Sequence, residues 1–213
     1  MSCSLVRTPS EHSPASNWQL QPNSIRERDD LVKTEKEKML QGELYDPGDP
    51  ELCADRVTAQ RFMRAYGQTI VEDGDIRRPL LKSHLGSIGE RCALRAPFYV
   101  DYGYNVFIGD SVFMNYGCVL LDVCAIRIGD RTQLGPGVQI YTADHPRDAS
   151  SRRAGIEFGK PISIGANVWI GGHAIIMPGI TIGNDAIIGA GSVVTRNVAA
   201  GASVAGNPAR AIG

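Results

Sequence analysis

The chain has 213 residues, 43% of them hydrophobic, and a formal net charge of −1. That suffices for one ordinary domain with an appendage. The near-balanced charge and the lack of a basic patch give no electrostatic case for nucleic acid, and no apolar run approaches the roughly 18 residues that a membrane span requires.

Residues 1–30 are rich in Ser, Pro, Asn and charge and predict a flexible N-terminal tail. They lack the apolar core of a secretory signal, and Glu11, Glu27, Asp29 and Asp30 count against an amphipathic organellar leader. The five cysteines are odd in number and form no CxxC pair, so neither a disulfide framework nor a zinc ribbon is indicated. Cys118 and Cys124 read as small buried fillers, and a reducing, cytoplasmic setting is expected.

Residues 31–87 predict a helical cap. A charged helix with widely spaced apolar residues ends near Gly42. Asp46-Pro47-Gly48-Asp49-Pro50 is punctuated as a turn, and residues 51–66 return to helical composition. Asp73-Gly74-Asp75 and Pro79 are expected to mark another connection. Such a cap shields the open end of a repeat stack.

From residue 88 the pattern changes. Aliphatic residues, with Ala at the end, return every sixth position at Ile164, Ile170, Ile176, Ile182, Ile188, Val194 and Ala200. A comb in the same phase holds Ile128, Leu134 and Ile140, and another, displaced by two, holds Ile108, Met114 and Leu120. Fixed-period self-similarity marks a stacked repeat architecture. Position +1 is often Gly, as at Gly165, Gly171, Gly183 and Gly189, and is expected to form a tight corner at positive φ. Three short strands per triangular coil would let successive coils bury the aliphatic column that one coil cannot. A β-sandwich, with turn signals every 8–12 residues or so, does not explain a comb that never slips after Ile164. The slip before Ile128 and the lapse after Ile140 predict bulges or protruding loops.

The lapse, near 143–161, is polar and charged and reads as a long excursion without regular structure of its own, a kind of segment that is usually functional. His145 stands at its start between Asp144 and Pro146. An imidazole with an ordinary pKa near ~6.5 can take a proton at neutral pH, which makes His145 the candidate general base. Of the other histidines, His12 lies in the tail, His84 precedes the coil, and His173 falls at hexad position +3, facing solvent or a neighbouring subunit. No HxH or HxxxxH pair exists, so a zinc site of three histidines is not expected.

Several motifs together resemble the maltose and galactoside O-acetyltransferases of the hexapeptide-repeat family. They are Lys36-Glu37-Lys38-Met39-Leu40-Gln41-Gly42-Glu43-Leu44-Tyr45, Asp101-Tyr102-Gly103-Tyr104-Asn105, Asn115, Asp122, Thr142-Ala143-Asp144-His145-Pro146, Gly155-Ile156-Glu157-Phe158-Gly159-Lys160-Pro161, Asn167-Val168-Trp169-Ile170-Gly171-Gly172 and Val204-Ala205-Gly206-Asn207-Pro208-Ala209-Arg210. The resemblance spans 31–210. It implies a mainly β fold, a left-handed parallel β-helix of hexapeptide repeats over 88–213 with a small N-terminal helical cap. It also implies a homotrimer with active sites in clefts between neighbouring coils, acetyl-CoA as donor without a required metal, and a small hydroxylated acceptor, often a sugar. By the same resemblance His145 is the base that deprotonates the acceptor hydroxyl as it attacks the thioester. Asp46, Asp101, Asn115 and Glu157 then contact the acceptor, with Glu157 also able to orient the imidazole. Trp169, Gly172, Ala190, Thr195 and Arg210 line the coenzyme groove, and Arg196 and Arg210 meet phosphates. Amine or non-sugar alcohol acceptors, and a non-catalytic trimeric scaffold, stay open because the fold does not choose among them.

Overall fold

The computed structural model describes residues 33–213. The expected tail, the organellar question and His12 all lie outside the described residues.

Helix α1 (Glu35–Leu40) starts on a reciprocal cap: Thr34 accepts from the Glu37 N–H, and the Glu37 carboxylate accepts from the Thr34 N–H. It ends at Gly42, whose φ of 73° is left-handed. Helix α2 (Pro50–Gly67) has Asp49 as its N-cap and Pro50 at its first position, where the missing N–H costs nothing. Helix α3 (Gly74–His84) overturns one expectation, because Gly74, Asp75 and Pro79 lie inside it rather than in a connection, with Asp73 at its N-cap. A proline in mid-helix removes one ladder bond, and tertiary packing holds the helix: Leu81 and Leu85 are buried in the main core with Phe62, Tyr66, Leu94 and Phe98. His84, uninformative in the sequence, stacks on Phe62 with ring centroids 4.3 Å apart, and burial lowers its pKa.

The cap serves two places. Its second and third helices cover the first coil, as a capping element must. Helix α1 and Tyr45 instead sit on the flank, where Met39, Tyr45 and Leu52 pack with Tyr102, Val123 and Cys124 in a separate small core.

The rest is a parallel β-helix whose three faces are sheets of two- and three-residue strands. The first face begins with Ser87–Ile88 and ends with Thr181–Ile182. The second runs from Ala93–Leu94 through Phe113–Met114, Gln133–Leu134, Trp169–Ile170 and Ile187–Ile188 to Ser203–Ala205, where antiparallel Arg210–Ala211 closes its edge. The third begins with Tyr99–Val100 and ends with Val193–Val194. Ile88, Leu94 and Val100 thus form a full coil one turn earlier than the sequence comb showed.

Register explains the slip. Ile88 pairs with Ile108, Leu94 with Met114 and Val100 with Leu120, so the first coils repeat every 20 residues. Ile164 pairs with Ile182 and Ile170 with Ile188, so the next coils repeat every 18, three hexads. The comb slips once more at its end, against expectation: Ile182 pairs with Val198 and Ile188 with Val204, 16 residues on, so buried Val198 takes the inward place and Ala200 is exposed. The extra residues all fall at one corner, following Val100, Leu120 and Ile140.

The structure also corrects the role of the position +1 glycines. Gly165, Gly171, Gly183 and Gly189 are not among the residues at positive φ; the left-handed residues include Arg131, Asn167, His173 and Asp185, together with Gly137, Gly179 and Gly191, all at position +3. The +1 glycines are required by close approach. A Cβ on Gly171 would lie 2.5 Å from the Ala190 nitrogen, and one on Gly135 would lie 2.5 Å from the Gly172 nitrogen.

Nor is the excursion irregular. Ala143–Asp144 and Phe158–Gly159 form an antiparallel ladder, and the short helix α4 (Ala149–Arg153), capped by Asp148, lies between them. The hydrophobic comb could not show this, because none of the α4 residues is buried.

Candidate active site

Two groups of the candidate residues are gathered in different parts of the coil. The first lies at the long corner. In the excursion's ladder Asp144 pairs with Phe158, so the next residues out, His145 and Glu157, face each other across the strands. His145 Nε2 is 4.0 Å from Glu157 Oε1, and the imidazole is 57% exposed. That is Coulombic range but beyond a hydrogen bond. Glu157 is fixed from its other side. It exchanges backbone hydrogen bonds with Tyr45 (3.0 and 3.1 Å), and its Oε2 accepts from the Tyr45 hydroxyl at 2.8 Å. Burial, then the Glu157 charge, pushes the Tyr45 hydroxyl far above its ordinary pKa, so it stays protonated and donates to the carboxylate.

The His145 backbone is held by its neighbours. Asp144 Oδ1 accepts from the His145 N–H at 2.8 Å, while Arg147 grips the same carboxylate at 2.8 and 3.0 Å and donates to the His145 carbonyl at 2.8 Å. Burial alone would raise the Asp144 carboxyl, but Arg147 and the His145 N–H lower it below the usual range. Asp144 is thus the turn-capping residue of this corner.

Asp101 enters from the corner of the first coil. Burial, and next the Glu157 charge, push its carboxyl up to about 6, against the pull of Arg56. The Arg56 guanidinium donates to the Tyr102 hydroxyl at 2.8 Å. Beneath lies Asp122, fully buried, whose carboxylate accepts from the N–H groups of Asp101, Tyr102, Gly103 and Asn105 at 2.7–3.3 Å. Burial raises the Asp122 carboxyl to about 7 while those N–H groups pull it down. Asp46 is exposed beside Tyr45, with Oδ1 accepting from the Gly48 N–H at 2.7 Å.

The second group lines a groove of about 390 Å³ on the second face, which gathers Asn115, Trp169, Gly172 and Ala190. Gly135, Gly171 and Gly189 contribute to its walls, with Phe113 and Ile187 as apolar lining. Trp169, 57% exposed, stands between Gln133 and Ile187 in the ladder. Such a narrow apolar trough with small residues suits an extended pantetheine arm. Asn115 turns its Oδ1 to the Tyr116 N–H at 2.9 Å. Arg210 is exposed at the edge of this sheet. Thr195 and Arg196, both exposed, follow the last strand of the third face and do not line this groove; their corner is the one that His145 occupies two coils earlier.

Sequence reasoning passed over Tyr45, Arg56 and Asp122 as functional residues. A tyrosine preceding an acidic residue signals nothing by itself; its role arises from a bridge to a residue 112 positions away. Among the described residues no group of three or more His, Cys, Asp and Glu side chains is placed to hold a metal. No helix among them is long and apolar enough to cross a membrane.

Comparison with known proteins now decides the family. Residues 38–89 match the maltose acetyltransferase hexapeptide capping motif, and 161–196 match the bacterial transferase hexapeptide (six repeats). Nodulation protein L of Rhizobium meliloti (strain 1021) is 50% identical over 183 residues, 86% of this chain and 100% of that protein. The crystal structure of a maltose O-acetyltransferase from Clostridium difficile 630 superposes with a TM-score of 0.83 at 47% identity, covering 84% of this chain and 96% of that one. This chain belongs to the maltose and galactoside O-acetyltransferase family. It is an acyltransferase of the hexapeptide-repeat fold. A further member, a galactoside acetyltransferase solved in complex with coenzyme A, has a TM-score of 0.81 at 31% identity, with 85% of this chain and 91% of that one covered.

Proposed function

We propose that this acetyltransferase transfers an acetyl group from acetyl-CoA to a hydroxyl of a sugar, with His145 as general base, as a homotrimer in a reducing cytoplasmic compartment. The observation that carries the reading is the facing of His145 and Glu157 across the excursion's ladder, with the imidazole open to solvent and the carboxylate 4.0 Å behind it. When bound, acetyl-CoA supplies an activated acyl carbonyl. His145 takes the proton of the acceptor hydroxyl, and Glu157 stabilises the imidazolium that results. The carboxylates of Asp46 and Asp101 and the Asn115 amide offer short, directional partners for sugar hydroxyls. Trp169, Gly172, Ala190 and Thr195 line the path of the donor, while Arg196 and Arg210 meet its phosphates. No metal enters the reaction.

The trimer is supported by the separation of the two groups. Asn115 follows a second-face strand and His145 a third-face strand, so they occupy different corners of one prism. A site containing both needs a second copy. The exposed Tyr99, Tyr116 and Trp169 offer apolar surface for such a contact. The described cysteines are all unpaired, in keeping with a reducing compartment.

The test is release of the coenzyme A thiol across a panel of mono- and disaccharides. His145→Ala should lower kcat about 10²–10⁴-fold while leaving the melting temperature and oligomeric mass unchanged. Undiminished turnover removes His145 from the role, and failure to bind the donor favours a non-catalytic scaffold.

A further inference from the structure

A second, larger cleft of about 720 Å³ opens between the C-terminal end of α2, helix α3 and the outside of the first coil. Phe113 lines both it and the Asn115 groove. Arg95 joins the two spaces: it lines the cleft, and its Nη1 lies 3.4 Å from Asn115 Oδ1. Its guanidinium lies 5.3 Å from the ring centroid of Phe113 and 4.9 Å from that of Tyr116.

Four guanidiniums line this cleft, those of Arg77, Arg78, Arg91 and Arg95, against the single carboxylate of Glu90. Two are already committed. Arg77 donates to the Tyr66 hydroxyl at 2.7 and 3.1 Å and to the Leu94 carbonyl. Arg78 pairs with Glu90 at 2.5 Å and donates to the Gly89 carbonyl at 3.2 Å. The other two are not neutralised at contact distance. Arg91 donates from Nε to Ser111 Oγ at 3.2 Å and approaches the Asp110 carboxylate only to 4.0 Å, with its side chain 75% exposed. Among the described residues Arg95 has no carboxylate within ion-pair distance. A guanidinium flanked by two aromatic rings is oriented without being neutralised, and its planar fork matches an oxyanion. Ile70 and Val71, exposed at the cleft, give it apolar surface as well.

We infer that this cleft receives the far end of the acceptor, and that the preferred acceptor carries an oxyanion there, a carboxylate or a phosphate ester, read by Arg95 and Arg91. The inference rests on the reading above in which Asn115 contacts the acceptor near its reacting hydroxyl. From Asn115, the space next to Arg95 is the continuation of that site away from the donor groove. Coulombic attraction in a partly desolvated cleft then distinguishes a charged acceptor from a neutral one of the same shape.

The experiment compares matched acceptors with the full chain: maltobionate against maltitol for the carboxylate arm, and maltose 1-phosphate against maltose for the phosphate arm. The ratio of kcat/KM, anionic over neutral, should be about tenfold or more in at least one arm, and should shrink as ionic strength rises. Arg95→Gln should bring that ratio close to one, and Arg91→Gln, at an exposed position, should reduce it. Equal kcat/KM in both arms overturns the inference, as does a preference that survives both substitutions. Calorimetric titration of the same four sugars separates this from the catalytic reading. Anion-selective binding that Arg95→Gln abolishes, without acetyl transfer to any sugar, upholds the cleft and defeats the sugar-acetylation reading. Transfer to neutral and anionic sugars alike does the reverse.

Discussion

Two parts of the same coil obey different rules. Between Ile164 and Val194 every corner has the same length, and each inward residue stacks on its counterpart 18 positions on. At the corner that follows Val100, Leu120 and Ile140 the chain takes extra residues each time, two in the first coils and a whole helix-containing excursion in the third. Strand register on either side is unaffected, as Ile126, Arg127 and Ile128 pair in step with Ile162, Ser163 and Ile164 across the excursion. A corner can therefore grow without interrupting the ladders or the aliphatic column. Asp101, Asp122, His145 and Glu157 all lie at this corner. The first group of candidate residues gathers where the stack tolerates length, and the second lies on the regular face.

The contrast is broken most sharply in the regular part. A Cβ at Gly171 would lie 2.5 Å from the Ala190 nitrogen and 2.8 Å from its Cα, both backbone atoms of the next coil. Gly171→Val forces the coils apart where no side chain can swing away. We expect a loss of ~3 kcal/mol or more, read as a lowered midpoint in denaturant. Gly155, whose added Cβ would meet nothing within 4 Å, belongs to the excursion, and change there should cost only the strain of its φ of 77°. Equal losses at the two positions would erase the distinction.

The next effect belongs to the long corner and depends on pH. Asp101 is raised from 3.8 to about 6 by burial and then by Glu157. The native state thus holds this proton more tightly than the unfolded chain does. Stability from this group is full below 3.8, falls as pH rises, and is lost above about 6. A shift of that size corresponds to about 3 kcal/mol. Asp101→Asn has no such titration, so its stability relative to the parent should grow by roughly that amount between pH 4 and pH 7. Parallel stability curves across that window would show that Asp101 is not held in this environment.

How much was legible follows the same division. The comb of Ile164 to Val194 announced the stack because burial of one side chain per hexad leaves a direct trace in the sequence. Glycine at +1 was visible, but its cause was not: sequence cannot distinguish a residue that must turn from one that must leave room for another coil. Pro79 misled because local rules weigh the lost hydrogen bond and not the packing of Leu81 and Leu85 against the first coil. His145 was legible from its place at the edge of a lapse. Its partner relations were not: the Tyr45 bridge to Glu157 joins distant segments through backbone hydrogen bonds that any residue type could make, and the Asp122 carboxylate accepts from N–H groups of 101–105 that carry no signal in the sequence.

That bridge permits a gentler test. Tyr45→Phe deletes the 2.8 Å hydrogen bond to Glu157 Oε2 but keeps both backbone bonds of the bridge and the ring's place beside Met39 and Tyr102. The carboxylate retains access to solvent at 25% exposure, so it is not stranded by the loss. Stability should fall by about 1 kcal/mol, equivalent to ~2–4 °C in Tm for a domain of this size, and kcat should fall about threefold or less because the backbone still aligns Glu157 with His145. A loss of kcat near that of His145→Ala would mean that the Tyr45 hydroxyl takes part in the chemistry. A loss of stability near that of Gly171→Val would mean that the flank is as intolerant as the stack, and that the long corner is not a place where side chains can change independently of the fold.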